Sequence, residues 1–286
     1  MKFVVNAAAL VLAATLVPVT SVMAQSSLPT ELRNPRIKID YVTPKDPAFL
    51  PLQERLKKRQ VLERLQVLLG ALKLDRELTI KTEECGVPLV PYKNGGPVVI
   101  CYEYIDQIGS LVNVRLGAGS VGRVGPIRVT REHAVVGPVV HIALFNVAHA
   151  LFDIFDTPIW GNVDDAADTV AAFTMLQFGE DVTVKTLFGT AWFLFETKDA
   201  QPMNMYDVRP YLIQRFYNHL CHAYGSDPQL YEPLVTSKVL PKDRANFCPQ
   251  YYQKYRDSYL ELILAEGKID WDKLEKVRKI EWLKED

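Results

Sequence analysis

An α+β fold, with a small N-terminal sheet and one packed helix joined to a larger helical half, is what this sequence predicts. Three observations carry that expectation. Short apolar segments in the first hundred or so residues alternate as strands do, whereas from Val139 onward the apolar residues recur at helical spacing. The helices of the second half are apolar on more than one face, as expected of elements covered by their neighbours. With 286 residues and 48% hydrophobic content, the chain is long enough to bury a substantial core.

The elements follow in order. Residues 1–24 read as a secretory leader: Lys2, an apolar run from Val4 to Val17, then Val22-Met23-Ala24, with small residues where a signal peptidase reads and cleavage before Gln25. The run is short for a membrane anchor, and Pro18 interrupts its end. Residues 25–35 form a polar, Pro-containing lead-in, and 36–286 are expected to be a single domain. Ile37 to Val42 alternates as a strand, and Leu50 to Leu72 reads as one amphipathic helix. Leu78 to Glu84 and Val98 to Tyr104 read as two strands about a Tyr92-Lys-Asn-Gly-Gly96 turn, where Asn-Gly supplies the positive φ of a tight hairpin. Helices are expected at about 139–155, 163–178, 182–197, 207–224 and 247–265.

Two segments imitate other functions. Gly117-Ala-Gly-Ser-Val-Gly122 fits a dinucleotide fingerprint, but Gly125-Pro126 stands where the helix must begin and no acid follows at the distance that holds a ribose, so a loop is the reading. The 139–155 helix is apolar enough for a membrane span but carries His141, Asn146, His149 and Asp153, which favours a buried helix.

The formal net charge is -1, and losing Lys2 with a leader makes it slightly more negative. Neither a nucleic-acid partner nor, after leader cleavage, a membrane partner is indicated. Four cysteines fit export to an oxidising compartment, the periplasm or beyond. Of three possible pairings, Cys85 with Cys101 and Cys221 with Cys248 is favoured, because each pair brackets one turn-rich segment. Closing each such loop is worth about 3 kcal/mol in the chain-entropy model. A four-cysteine zinc site is the rival, without any CxxC spacing to support it.

The chemistry concentrates at Phe145-Asn-Val-Ala-His149 and the acidic run Thr157 to Asp168. In a working HExxH helix two histidines one turn apart bind zinc, and the Glu beside the first is the general base. Here Phe145 takes the first His position and Asn146 the Glu position, and His149 remains. A benzyl ring has no lone pair for zinc, and a carboxamide cannot accept a proton from metal-bound water near neutral pH. At about 100° per residue, His141, Phe145, Asn146, His149 and Asp153 fall within a sector of about 140°, so the polar groups share one helix face.

These segments resemble a bacterial metallopeptidase-like family, domain of unknown function 4344, whose members show a helix like HELGHAL followed by LPVLGxEEDAAD. Cys85-Gly-Val-Pro, Ile100-Cys-Tyr-Glu-Tyr104, Gln214-Arg-Phe-Tyr-Asn218, Leu220-Cys221, Tyr224 to Pro228, Leu240 to Ala245 and Cys248-Pro249 are similar to other stretches of that family, in order. The resemblance spans roughly residues 36 to 265 and implies a zincin-like fold. It implies Asp164 as third metal ligand, one methylene shorter than the family's Glu, and Asp168 as the carboxylate that orients the first zinc histidine. With Phe145 in that place, Asp168 is expected to lack its partner. A family His before the Gln-Arg pair falls on Arg209.

Each residue also has a plainer reading. A lone His on a helix of Val, Ala, Leu, Ile and Phe is more often a hydrogen-bonded core residue, and Asp164 and Asp165 after Asn162 suit a helix start, where carboxylates complement the dipole. A rescued metal set of His149, Asp164 and either Asp153 or His141 is conceivable, although His141 lies about 12 Å away along the helix axis. Two functions are therefore expected of different kinds. The first is an exported, catalytically inactive peptidase-like module that binds a peptide or protein and needs no cofactor. The second is a zinc-dependent peptidase with an unorthodox ligand set around His149 and Asp164. A purely structural domain of the cell envelope, without a ligand, is a third.

Overall fold

The computed structural model describes residues 28–280 except 118, 201–209, 263–264 and 266. The leader at 1–24, its cleavage point before Gln25, the first residues of the lead-in and Arg209 lie outside the described residues. The architecture is mixed α and β, dominated by helix.

Three short strands, β1 (Ile37–Tyr41), β2 (Leu78–Glu83) and β3 (Val98–Cys101), form a sheet in the order β1-β2-β3. Both pairings are parallel, with Ile37 opposite Leu78 and Ile80 opposite Val98. The expected β2–β3 hairpin is therefore a correction. Gly95 does take a positive φ of 73°, but its N–H is held by Asp153 at 2.8 Å. The Asn-Gly turn tethers residues 84–97 to a helix, and this strap returns the chain to the start of a parallel neighbour.

The expected single helix at 50–72 is two, α1 (Leu50–Lys58) and α2 (Val61–Leu68). Gln60 between them is left-handed at φ 51°. The Tyr41 hydroxyl takes the Leu62 N–H at 2.9 Å and donates to Glu63 at 2.8 Å, fixing the new start. The strand expected to reach Tyr104 ends at Cys101 and passes into α3 (Tyr102–Arg115). Buried Tyr102 ends it, donating its hydroxyl to the Val42 carbonyl at 2.7 Å beside Thr82 at 3.0 Å.

A two-stranded hairpin, β4 (Gly122–Val124) and β5 (Ile127–Val129), turns at Gly125 and opens at the last Gly of the dinucleotide-like motif, so no helix follows that motif. Next come α4 (Arg131–Ile154) and α5 (Val163–Met175), then α6 (Glu180–Thr183), a π-helical turn and α7 (Gly189–Thr197) in close succession. The rear holds α8 (Leu212–Ser226), α9 (Glu232–Thr236), α10 (Lys242–Ala245), α11 (Cys248–Leu262) and α12 (Trp271–Arg278).

Helix α4 is the axis of the molecule, capped by Thr130, which accepts from the His133 N–H at 3.2 Å. It is long and apolar enough to cross a membrane by composition, but most of it is buried within the protein. Close approach to α7 depends on two glycines. A Cβ on Gly137 would stand 2.6 Å from the Thr186 carbonyl, and one on Gly189 2.1 Å from the His133 carbonyl. One continuous apolar core runs from Ile37 in the sheet through α4 and α5 to Ile269. Disulfides join Cys85 to Cys101 and Cys221 to Cys248.

Candidate functional site

Three helices meet at the polar face of α4. Small residues Ala143, Ala148 and Ala150 on α4 and Ala167, Ala171 and Ala172 on α5 are buried, which lets the backbones approach closely. Between the two helices the chain reverses at Gly161, φ 102°. Asn162 then caps α5, its Oδ1 accepting from the Asp164 N–H at 2.8 Å and the Asp165 N–H at 3.3 Å. The cap role thus falls to Asn162, and Asp164 and Asp165 are free to face other groups from the first turn.

The first cluster is closed. Asp168, buried on α5, receives a two-pronged hydrogen bond from Arg215 of α8, Nε at 2.5 Å and Nη2 at 2.7 Å. It also lies 2.9 Å from His141 Nε2. Burial pushes the Asp168 carboxyl up, but the Arg215 guanidinium and His141 overcome this and hold it far below the usual carboxylate range. His141 Nε2–H is then the donor, and burial keeps that imidazole neutral at ordinary pH. In place of the histidine that Phe145 displaces, Asp168 is held by His141, one turn before Phe145, and by Arg215. Next to them His219 Nδ1 donates to the Arg215 carbonyl at 2.9 Å, while its Nε2 is buried without a hydrogen-bond partner among the described residues. The rings of His141 and His219 lie 5.1 Å apart.

The second cluster is open. His149 Nε2 stands 3.3 Å from Asp164 Oδ1, both partly exposed. Burial lowers the His149 pKa, partly opposed by the charges of Asp164 and Asp168. Burial raises Asp165, and the charges of Asp168 and Asp164 add to it. Phe145 separates the two clusters, edge-on to His149 at 4.8 Å and beneath the Arg215 guanidinium at 5.6 Å. Asn146 is buried and turns back to donate to the Ile142 carbonyl at 3.1 Å.

Asp153 does not join His149. Its Oδ2 accepts from Arg76, from the Tyr92 hydroxyl at 2.8 Å and from the Gly95 N–H. It is a clamp on the strap and is corrected as a metal candidate. Burial and the bond to Asp153 push the Tyr92 phenol up to about 12. At the other end of the strap, Glu103 accepts from the N–H groups of Cys85 and Gly86. Between these anchors Val87 and Leu89 are exposed.

As a zinc site the set falls short. His149 and Asp164 bring two donor atoms together, but a protein zinc site ordinarily has at least three protein ligands. Among the described residues, the three-residue group of His, Cys, Asp or Glu with mutually close ligand atoms is Cys85, Cys101 and Glu103, and both of its sulfurs are spent on a disulfide. Sequence reasoning missed Arg215 and His219 as site residues. With His222 they stand at i, i+4 and i+7 on one face of α8, a polar stripe that helical periodicity makes visible.

Comparison with known proteins adds one result. Residues 41–263 match a family model described as "Putative metallopeptidase". No curated protein and no solved structure matches. The chain belongs to that metallopeptidase-like family, domain of unknown function 4344.

Proposed function

We propose that this chain is an exported, zincin-like pseudoenzyme that holds an extended peptide in the inherited cleft without cleaving it. The observation that carries this reading is the state of α4. A ring and an amide occupy the places of a metal ligand and a general base, and the amide is spent on its own helix's Ile142 carbonyl. Among the described residues, the carboxylate paired with His149 is Asp164, at 3.3 Å.

Three features support a binding role. The His149–Asp164 pair is solvent-accessible and polar, and Phe145 offers an apolar floor beside it. The strap at 84–97 is pinned at both ends, one of them Asp153, one turn from His149, and presents Val87 and Leu89 outward. The two disulfides are compatible with an extracellular or periplasmic protein. We read residues 36–286 as one domain, in line with its continuous core. The rival reading, a zinc peptidase built on His149 and Asp164, has their 3.3 Å approach in its favour.

Restoring the two exchanged residues tests the assignment. The double variant Phe145→His with Asn146→Glu is expected to bind zinc at least about tenfold tighter than the parent, a gain on the scale of one added ligand. Equal zinc affinity in parent and double variant would show that the cleft is not where it is placed here.

A further inference from the structure

The outer face of α11 carries a row of exposed rings. Phe247 at its head, Tyr251 and Tyr255 follow at four-residue intervals and are 55%, 49% and 41% exposed. Each centroid is 6.4 Å from the next, with planes 34° and 27° from parallel. The opposite face of α11 belongs to the core, with Tyr252 and Tyr259 lying on Phe173 at 5.6 and 4.6 Å. The Cys221–Cys248 disulfide ties the head of α11 to α8, and Tyr255 rests against the His222 ring at 5.3 Å. The row is therefore mounted rigidly, so little ordering remains to oppose binding.

Beside it stands a cation short of acceptors. The Arg244 guanidinium lies 5.7 Å from the Tyr217 ring centre and donates to Asn218 Oδ1. Its Nε is buried and has no hydrogen-bond partner among the described residues. Among the described residues no carboxylate forms an ion pair with it. Burial lowers its pKa, opposed by the phenols of Tyr217, Tyr251 and Tyr255.

We propose that this face docks an extended, proline-rich, acidic segment of another protein. Two features select that chemistry. Alternate residues of a polyproline II segment lie about 6.2 Å apart along its axis, two rises of about 3.1 Å, close to the spacing of the rings. Such segments dock in aromatic-lined grooves and lose little entropy because they are already ordered. The second is charge, because Arg244 is a partly exposed cation with no carboxylate partner among the described residues, and a carboxylate on the segment supplies one.

The test is calorimetric titration of the mature chain with three probes: a synthetic peptide alternating Pro and Glu, its Pro-Lys counterpart, and an oligogalacturonate as a carboxylated sugar. Saturable binding of the Pro-Glu peptide is expected, with the Pro-Lys peptide and the oligogalacturonate at least about tenfold weaker. Tyr251→Ser and Arg244→Gln are each expected to weaken the Pro-Glu peptide by about tenfold or more, with circular dichroism unchanged. Tyr251 is half-exposed, so its variant retains the fold and carries the test if Arg244→Gln does not fold. No binding of the Pro-Glu peptide, undiminished binding in Tyr251→Ser, or preference for the oligogalacturonate overturns the proposal. So does a dimer in the parent that Tyr251→Ser dissolves, since the face would then belong to a second copy.

Discussion

Two histidine–carboxylate pairs lie eight residues apart on α4 and behave oppositely. His141–Asp168 is buried, with side chains 3% and 5% exposed, and Arg215 completes it. His149–Asp164 is partly exposed, 15% and 30%, and among the described residues no arginine completes it. The same two residue types thus serve as a structural node in one place and as an open polar site in the other. What separates them is Arg215 and burial: an ion pair out of water must be fully hydrogen-bonded to persist, whereas a half-solvated pair need not be.

The largest effect expected from this contrast is at Asp168. Asp168→Ala leaves the Arg215 guanidinium largely buried, 20% exposed, and unpaired and His141 without its acceptor, and is expected to destabilise by about 3–5 kcal/mol in urea unfolding. A loss below about 1 kcal/mol would show that the closed node does not hold α4, α5 and α8 together.

Acid probes the same interior. Burial lowers His219 to about 3 and His222 to about 4, whereas in the unfolded chain each titrates near 6.5. Between about 4 and 6.5 the unfolded chain therefore binds more protons, so stability rises with pH across that window and is lost as pH falls. Urea midpoints are expected to be flat above about 6.5 and to drop below it, with a shallower slope in His222→Phe. Identical slopes in parent and variant would remove His222 from the explanation.

Asp153→Ala should have a middling effect. It takes the acceptor from Tyr92, Arg76 and Gly95 at once, at an expected loss of about 1–3 kcal/mol. Faster amide exchange should be confined to the strap. Exchange that accelerates evenly over the whole chain would contradict the clamp.

The smallest effect belongs to the open pair. Asp164→Asn is expected to change stability by less than about 1 kcal/mol, because a half-exposed pair is screened. A loss comparable to that of Asp168→Ala would erase the distinction between the two pairs.

How much of this was legible in the sequence differs between the halves. The α4 and α5 segments carried strong helical periodicity and an Asn-Asp start, so they were readable to within a few residues at their C-terminal ends. Both disulfides follow from the turn-rich loops they bracket. The sheet was misread because Asn94-Gly95 is a local signal, whereas strand direction is set by where the strap is tethered, at Asp153 some sixty residues on. The helix break at Gln60 has no local marker, since what stabilises it is the Tyr41 hydroxyl from another element. The partner of Asp168 was lost for the same reason: Arg215 is forty-seven residues away in sequence, and only packing of α8 on α5 brings it in.

The most direct test of the central claim is the metal content of purified mature protein, by elemental analysis before and after dialysis against a chelator, with peptidase assays alongside. The account predicts zinc well below one per chain, a melting temperature indifferent to chelator, and no cleavage. One zinc per chain that vanishes in His149→Ala, with proteolysis that chelator abolishes, would contradict it.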